Sequence, residues 1–372
     1  MKYYLIAGEA SGDLHASFLM KEIKLLDPQA EFRYWGGDLM EAVSPGLQKH
    51  YRELAFMGFW EVIKNIRTIA ANFKQSKADI LDFQPNALIL VDYPGFNLRI
   101  AKWAKQQGLK VYYYISPQIW AWKSSRVHQI KANVDEMFVI LPFEQAFYAR
   151  YDMKVNYVGH PLLDVIKERG KNQDFRTKNG LGDQQLIALL PGSRKQEIDR
   201  MLGIMLAVAK QFPNYQFVVA GAPGQEKKYY KSLFEKYGQL PNVQLLEGQT
   251  YDLLQESEAA LVTSGTATLE TALFKVPQIV CYTGSPISYP IAKYLIKVKY
   301  ISLVNLIMDQ PLVVELIQHD LTVKRLSKEL AFLLTEGEKE RIHKGYLELE
   351  ERLGSGGAAA RCAAGIVANS FN

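Results

Sequence analysis

Apolar positions along this chain gather into short runs separated by longer amphipathic stretches, and the alternation occurs twice. In the first half the runs are Tyr3 to Ala7, Phe32 to Trp35, Ala87 to Asp92, Lys110 to Ser116 and Met137 to Leu141, rich in β-branched, aromatic and aliphatic residues. Runs that are apolar at successive positions predict parallel strands covered on both faces by helices. The pattern breaks after Tyr157-Val158-Gly159-His160-Pro161 into the polar stretch Lys167 to Asn179, punctuated by Gly170 and Gly180. It restarts with Leu186 to Leu190, Gln216 to Ala220, Val243 to Leu246, Ala259 to Thr263 and Gln278 to Tyr282. Two α/β units in tandem follow, each Rossmann-like, facing across a cleft. The expected boundaries are 1–165 for the first domain and 166–345 for the second. A helical arm over 346–372, interrupted at Gly354 to Gly357, is expected to pack on the first domain or on a partner subunit, which would make a homodimer.

A length of 372 residues suits two domains of this kind. With 44 Lys and Arg against 39 Asp and Glu, the net charge of +5 is mild, and it excludes the dense cationic surface of a nucleic-acid binder. The two cysteines, Cys281 and Cys362, are too few and too distant for a metal cluster or a disulfide scaffold and point to a reducing compartment. The apolar run after Met1 is too short for a signal peptide, and no run is long enough to span a bilayer. A cytosolic protein is expected, with any membrane contact peripheral.

In open parallel sheets ligands bind beyond the carboxyl ends of the strands, so polar strings at those ends are the candidate chemistry. The first strand ends in Gly8-Glu9-Ala10-Ser11-Gly12-Asp13-Leu14-His15, a turn into a helix that lacks the dinucleotide fingerprint. Glu9 and Ser11 would line the cleft; turn glycines with a cap at Ser11 or Asp13 explain the same string. Leu90-Val91-Asp92-Tyr93-Pro94-Gly95-Phe96-Asn97 places a carboxylate at a strand end, and Asp92 is the candidate general base, with helix capping as the alternative. In the second half, Pro191-Gly192-Ser193-Arg194 joins a strand to a helix in a geometry that offers backbone donors and a guanidinium to phosphate. Thr263-Ser264-Gly265-Thr266-Ala267-Thr268-Leu269-Glu270 is a second such turn, where Glu270 could accept from ribose hydroxyls or belong to a capping box. The loop Ser116 to Lys123 carries Trp120 and Trp122, suited to a sugar face, an acyl chain or the core. His15, His128 and His160 stand singly, as solvated or capping residues, and no metal is assigned.

Phe56, Met57, Phe59, Trp60, Ile63 and Ile66 fall on or near one helical face, with Lys64, Arg67, Lys74 and Lys77 nearby. A core-facing helix and an interfacial helix that meets a bilayer or a lipid substrate both fit.

In order and spacing these strings, together with Phe56 to Gly58, Leu141 to Glu144 and Ser302 to Asn305, resemble the lipid-A-disaccharide synthase family over nearly the whole chain. The resemblance implies the GT-B architecture and a glycosyltransferase of lipid A biosynthesis. Such an enzyme would move 2,3-diacylglucosamine from UDP-diacylglucosamine to diacylglucosamine 1-phosphate, with inversion, forming a β-1,6 link and releasing UDP. It implies no metal or cofactor. It supports Asp92 as base, Glu9 and Ser11 in the first-domain site, Arg194 at the diphosphate, and Asn305 as a further active-site polar group; Glu270 follows from the wider group of UDP-sugar enzymes, and Ser193, Ser264, Gly265 and Thr266 are further candidates for binding the UDP-sugar. Family members often carry an acid three positions after the matched aspartate, where this chain has Gly95. The expected location is the cytoplasmic face of the inner membrane. The rival readings are the peptidoglycan precursor transferase and a UDP-N-acetylglucosamine 2-epimerase, which share the architecture.

Overall fold

A computed structural model describes residues 1–54, 66–238, 240–284 and 299–370. The chain divides into two compact units, Met1–Asp164 with Ser355–Asn372, and Val165–Gly354. The first unit holds β1 (Lys2–Ala7), β2 (Glu31–Gly36), β3 (Leu47–His50), β4 (Ala87–Val91), β5 (Val111–Tyr114), β6 (Glu136–Val139) and β7 (Asn156–Tyr157). They form one parallel sheet in the order β3-β2-β1-β4-β5-β6-β7. In the second unit β8 (Leu186–Leu190), β9 (Gln216–Gly221), β10 (Val243–Glu247), β11 (Ser257–Thr263), β12 (Gln278–Tyr282) and β13 (Val314–Ile317) form a parallel sheet in the order β10-β9-β8-β11-β12-β13.

The continuous apolar runs have a direct cause in the first unit. Tyr4, Ile6, Leu88, Leu90 and Tyr113 face a core completed by Phe96, Ile100 and Ala104 of the helix Pro94–Gln106. Their strand neighbours Tyr3, Leu5, Ile89, Val91 and Tyr112 face the other way, onto Leu19, Met20 and Ile23 of the helix Ala10–Leu26. Both faces are buried, so side chains pointing in opposite directions must all be apolar.

Each sheet reverses its winding at one place: between β1 and β4 in the first unit, where Ala7 pairs with Val91, and between β8 and β11 in the second, where Leu190 pairs with Val262. At such a switch point the connections leave to opposite faces, and a crevice opens at the carboxyl ends of the two central strands.

The boundaries differ from the sequence reading in one respect. No arm begins at 346, because Ile342, Tyr346, Leu349 and Leu353 are the buried stripe of one continuous helix, Glu336–Leu353, in the second unit. The segment that returns to the first unit is the helix Ala358–Ser370, with Ala358, Cys362, Ala363 and Ile366 in the core beside Leu19 and Ile23. Among the described residues no helix is long and apolar enough to cross a membrane.

Candidate active site

At the switch point of the first sheet, β1 delivers Gly8 and Glu9 and β4 delivers Asp92 and Tyr93. Asp92 and Tyr93 both take the left-handed backbone conformation, with φ of 46° each. Strain of this kind in non-glycine residues persists only where the surroundings fix it. Asn97 is fully buried, and its Nδ2 donates to the carbonyls of Ile6, Val91 and Asp92 at 3.3, 3.2 and 2.8 Å, tying β1 to β4 at their ends. Tyr113 Oη also donates to the Asp92 carbonyl, and the Asp92 N–H donates to Tyr114 O at 3.0 Å. Gly8 allows the Tyr93 ring to lie against the backbone, since a Cβ there would stand 2.3 Å from the ring.

The Asp92 side chain is half-buried. Burial first, and the Glu9 carboxylate second, push its carboxyl up to about 7, against a weaker opposing hydrogen bond from the Tyr93 backbone. Glu9 is in extended conformation at the start of the helix Ala10–Leu26. Two carboxyl groups near one another, one of them raised toward neutrality, form an arrangement able to hold and release a proton near neutral pH.

The other first-unit candidates divide. Ser11 is exposed on the first turn of its helix. Asp13 is 2% exposed and accepts from the backbone N–H groups of Gly37, Leu39 and Met40 at 2.8, 3.1 and 3.1 Å. It caps the following helix, Asp38–Val43, rather than its own. His15 and His160 are buried rather than solvated, and burial lowers them to about 4 and about 3. His160 Nδ1 accepts from Leu162 N at 3.3 Å, the capping role, whereas His128 is exposed against Tyr151. Trp120 is half-buried, packs edge-on against Phe143 at 4.9 Å and donates Nε1–H to Glu144 Oε1 at 3.3 Å. Glu144, whose carboxyl burial pushes up to about 7, also accepts from Ile140 N and Leu141 N, so the Leu141 to Glu144 string anchors the tryptophan loop. Trp122 closes the short helix Ile119–Trp122. Phe56, Met57, Phe59, Trp60 and Ile63 lie outside the described residues, as does the side chain of Ile66, whose backbone opens the helix Ile66–Phe83.

At the second switch point, β8 and β11 deliver the two glycine-bearing turns side by side. Gly192 has φ of +111°, and a Cβ there would meet Glu197 at 2.7 Å. The N–H groups of Ser193 and Arg194 converge on Glu197 Oε2 at 3.2 and 3.3 Å, and the exposed Arg194 guanidinium lies 3.5 Å from the same carboxylate. The turn is thus built to receive an anion, but here its donors are engaged by the protein's own Glu197, which the sequence reading did not anticipate. Across from it, Gly265 and Thr266 are exposed at the start of the helix Thr266–Leu273, while Ser264 Oγ donates to Ile301 O at 2.9 Å. Glu270 makes no capping box. It is hydrogen-bonded with Tyr251, and burial pushes its carboxyl up to about 7. Tyr251 in turn lies under the Arg169 guanidinium, 5.3 Å from its ring centroid.

Asn305 stands on the helix Leu303–Met308. It is 1% exposed, with Nδ2 donating to Val313 O and Glu315 Oε1 at 2.9 Å each and Oδ1 accepting from Val313 N at 3.0 Å. Glu315 also accepts from Ile301 N, Ser302 N and Ser302 Oγ. The Ser302 to Asn305 string is a buried clasp that fixes β13 to the helix Leu303–Met308.

With this geometry in place, the comparisons with known proteins are decisive. The family model for lipid-A-disaccharide synthetase matches residues 3–364. The chain belongs to the lipid-A-disaccharide synthase family. A lipid-A-disaccharide synthase of Syntrophus aciditrophicus is 38% identical over 365 residues, covering 96% of this chain and 95% of the relative. That of Geobacter metallireducens is 38% identical over 369 residues, 98% of this chain and 95% of its own. Lipid-A-disaccharide synthase 1 of Legionella pneumophila strain Paris is 39% identical over 337 residues, 88% and 86% respectively. Among solved structures, the UDP-GlcNAc 2-epimerase of Neisseria meningitidis bound to UDP-GlcNAc superposes with a TM-score of 0.70 at 14% identity, over 99% of this chain and 100% of that one. The calicheamicin glycosyltransferase gives 0.58 at 15% identity, over 98% and 97%. These last two share the fold of paired Rossmann-like domains.

Proposed function

We propose that the protein transfers 2,3-diacylglucosamine from its UDP donor to the 6-hydroxyl of 2,3-diacylglucosamine 1-phosphate, releasing UDP and a β-1,6-linked disaccharide 1-phosphate. The observation that carries this reading is Asp92, a half-buried carboxyl raised by burial and by Glu9 at the switch point of the first sheet, in a chain of this family. Asp92 takes the hydroxyl proton as the oxygen attacks the anomeric carbon. The bond from that carbon to the UDP oxygen breaks, and its electron pair leaves with the diphosphate, so attack from the opposite side inverts the centre. Ser193 and Arg194 receive the diphosphate once Glu197 yields their donors, and the start of the helix Thr266–Leu273 adds backbone N–H groups at Gly265 and Thr266. Glu270, held by Tyr251, takes the ribose hydroxyls. Trp120, anchored by Glu144, and Ser11 line the acceptor side.

Both substrates carry acyl chains, so the protein meets them at a bilayer surface. The Phe56 to Ile66 sequence, aromatic-led and followed by cations, suits peripheral contact with the cytoplasmic face of the inner membrane. The test is incubation of purified protein with a UDP-diacylglucosamine and a diacylglucosamine 1-phosphate in dispersing detergent, with mass detection of the disaccharide. Formation of disaccharide and UDP is expected. No product, or equal turnover of plain UDP-N-acetylglucosamine, overturns the reading in favour of an enzyme acting on the acetylated sugar nucleotide.

A further inference from the structure

Immediately beyond Asp92 the first unit has an open concavity of about 430 Å³, lined by Pro94, Gly95, Arg99, Lys123, Arg126 and Gln129 among others. Its charge is one-sided: among the described residues three cations line it, and no carboxylate does. The cations come from two separate elements. Arg99 stands on the helix Pro94–Gln106, stacked over the Phe73 ring at 5.7 Å from the centroid. Lys123 precedes, and Arg126 ends, the short turn Ser124–Arg126 that follows the tryptophan loop. Arg99 and Lys123 are exposed, and neither forms an ion pair among the described residues. Gly95, also exposed, has open space where a side chain would be and leaves the mouth of the concavity clear.

Its position relative to the reacting centre is fixed by the chain. Gly95 is three residues from Asp92, hence within about 11 Å of it at 3.8 Å per Cα step. Arg126 is close enough to Tyr113, whose hydroxyl holds the Asp92 carbonyl, for its charge to oppose the upward push of burial on that phenol. Two exposed cations, Arg99 and Lys123, outside any ion pair among the described residues and within one sugar's reach of a general base, attract an anion, and Arg126 beside them adds to the positive potential. The acceptor of the reaction proposed above carries its only charge at carbon 1, on the other side of the ring oxygen from the carbon that bears the attacking hydroxymethyl group.

We infer that this concavity is a phosphate subsite in which Arg99, Lys123 and Arg126 bind the anomeric phosphate of the acceptor, so orienting the sugar that its 6-hydroxyl meets Asp92. The inference rests on the proposed acceptor. It assigns the phosphate of the acceptor to the first unit and leaves the glycine-bearing turns of the second for the diphosphate of the donor. Guanidinium and ammonium groups bind phosphate through charge-assisted hydrogen bonds, and such a subsite makes the phosphate an orienting handle as well as a source of affinity.

The experiment compares diacylglucosamine 1-phosphate with its 1-hydroxy analogue in the same detergent, using wild type, Arg99→Gln, Lys123→Gln and the double variant. KM for the phosphorylated acceptor should rise roughly tenfold for each charge removed. UDP inhibition and the already high KM for the 1-hydroxy acceptor should stay unchanged, and Lys123→Arg should recover most of the loss. Equal effects on both acceptors, or an unmoved KM, overturn the subsite. A second readout needs no turnover: calorimetry with glucosamine 1-phosphate should show binding to wild type and a weakened signal in the double variant, with unaltered melting curves. If wild type makes no disaccharide yet shows that difference, the reaction proposed above falls and the phosphate subsite stands. If the variants instead lose co-sedimentation with phosphatidylglycerol vesicles while KM for the phosphorylated acceptor holds, the cations serve a membrane headgroup, and the acceptor assignment is overturned.

Discussion

Replacing Asp92 by Asn should raise stability and abolish most turnover, and both effects should depend on pH in a way that follows from burial. The carboxyl ordinarily titrates near 3.8 and is pushed to about 7 in the folded chain. Below 3.8 folded and unfolded chains are both protonated, and the group contributes nothing. Between 3.8 and 7 the folded chain keeps a proton that the unfolded chain has lost, so stability falls as pH rises, and above 7 the loss is complete. At about 1.4 kcal/mol per pH unit the full loss is ~4 kcal/mol, and discounting for water access to a half-buried group brings it to roughly 2 kcal/mol. Asparagine keeps the shape of the side chain and tolerates the left-handed backbone found at this position. Asp92→Asn should therefore melt higher than wild type at pH 8 by roughly 4–8 °C. At pH 5 the gain should be less than half as large. Turnover should drop by on the order of 10²- to 10⁴-fold. In wild type, kcat/KM should climb with pH through about 7. Glu9→Gln should lower that midpoint but leave it above 3.8, because burial is the larger cause and remains. Paired melting curves and pH–rate profiles test all of this. A stability change that ignores pH, or an Asn variant with near-normal turnover, would show that Asp92 is not the buried base.

Three further outcomes are expected. Arg194→Ala should raise the Kd for UDP roughly tenfold by calorimetry, and unchanged UDP affinity with lost turnover would confine the guanidinium to the transition state. Asn305→Ala should cost roughly 1–3 kcal/mol in a denaturant melt, since it strands Val313 N–H and part of Glu315, while kcat per folded molecule holds; a large fall in kcat would place the residue at the reacting centre. Gly8→Ala should displace the Tyr93 ring and with it Asp92, lowering kcat while UDP affinity, which we propose for the second unit, stays constant.

The central strands were legible because burial on both faces leaves a continuous apolar signature: Leu186–Leu190 and Gln278–Tyr282 match their sequence runs end to end. The missed strands are β3, β7 and β13, whose residues are mostly half-buried or exposed. Glu9 and Asp92 were legible as strand-end acids, but their mutual influence needed the pairing of β1 with β4, which no local pattern encodes. Glu197, Glu144 and Glu315 escaped for a different reason. Each satisfies backbone N–H groups, a use that leaves no sequence signature beyond a carboxylate near a turn. The fastening of β13 by Asn305 was not legible for the same reason, because a polar residue beside a strand end reads alike whether it faces a ligand or fastens the backbone.

The return of the helix Ala358–Ser370 to the first unit bears on how the protein is made. Asp164, the last residue before the chain enters the second unit, accepts from the N–H groups of Gly357 and Ala359, so departure and return are fastened at one point. On the ribosome the first unit emerges complete except for this helix, and the part of the sheet around Tyr114 and Phe138 that it covers stays uncovered until the whole second unit has been synthesised. The second unit is contiguous and can fold as it emerges. The amino-terminal unit, although synthesised first, is the last to close, and throughout that delay its apolar face is exposed to chaperones and to neighbouring nascent chains.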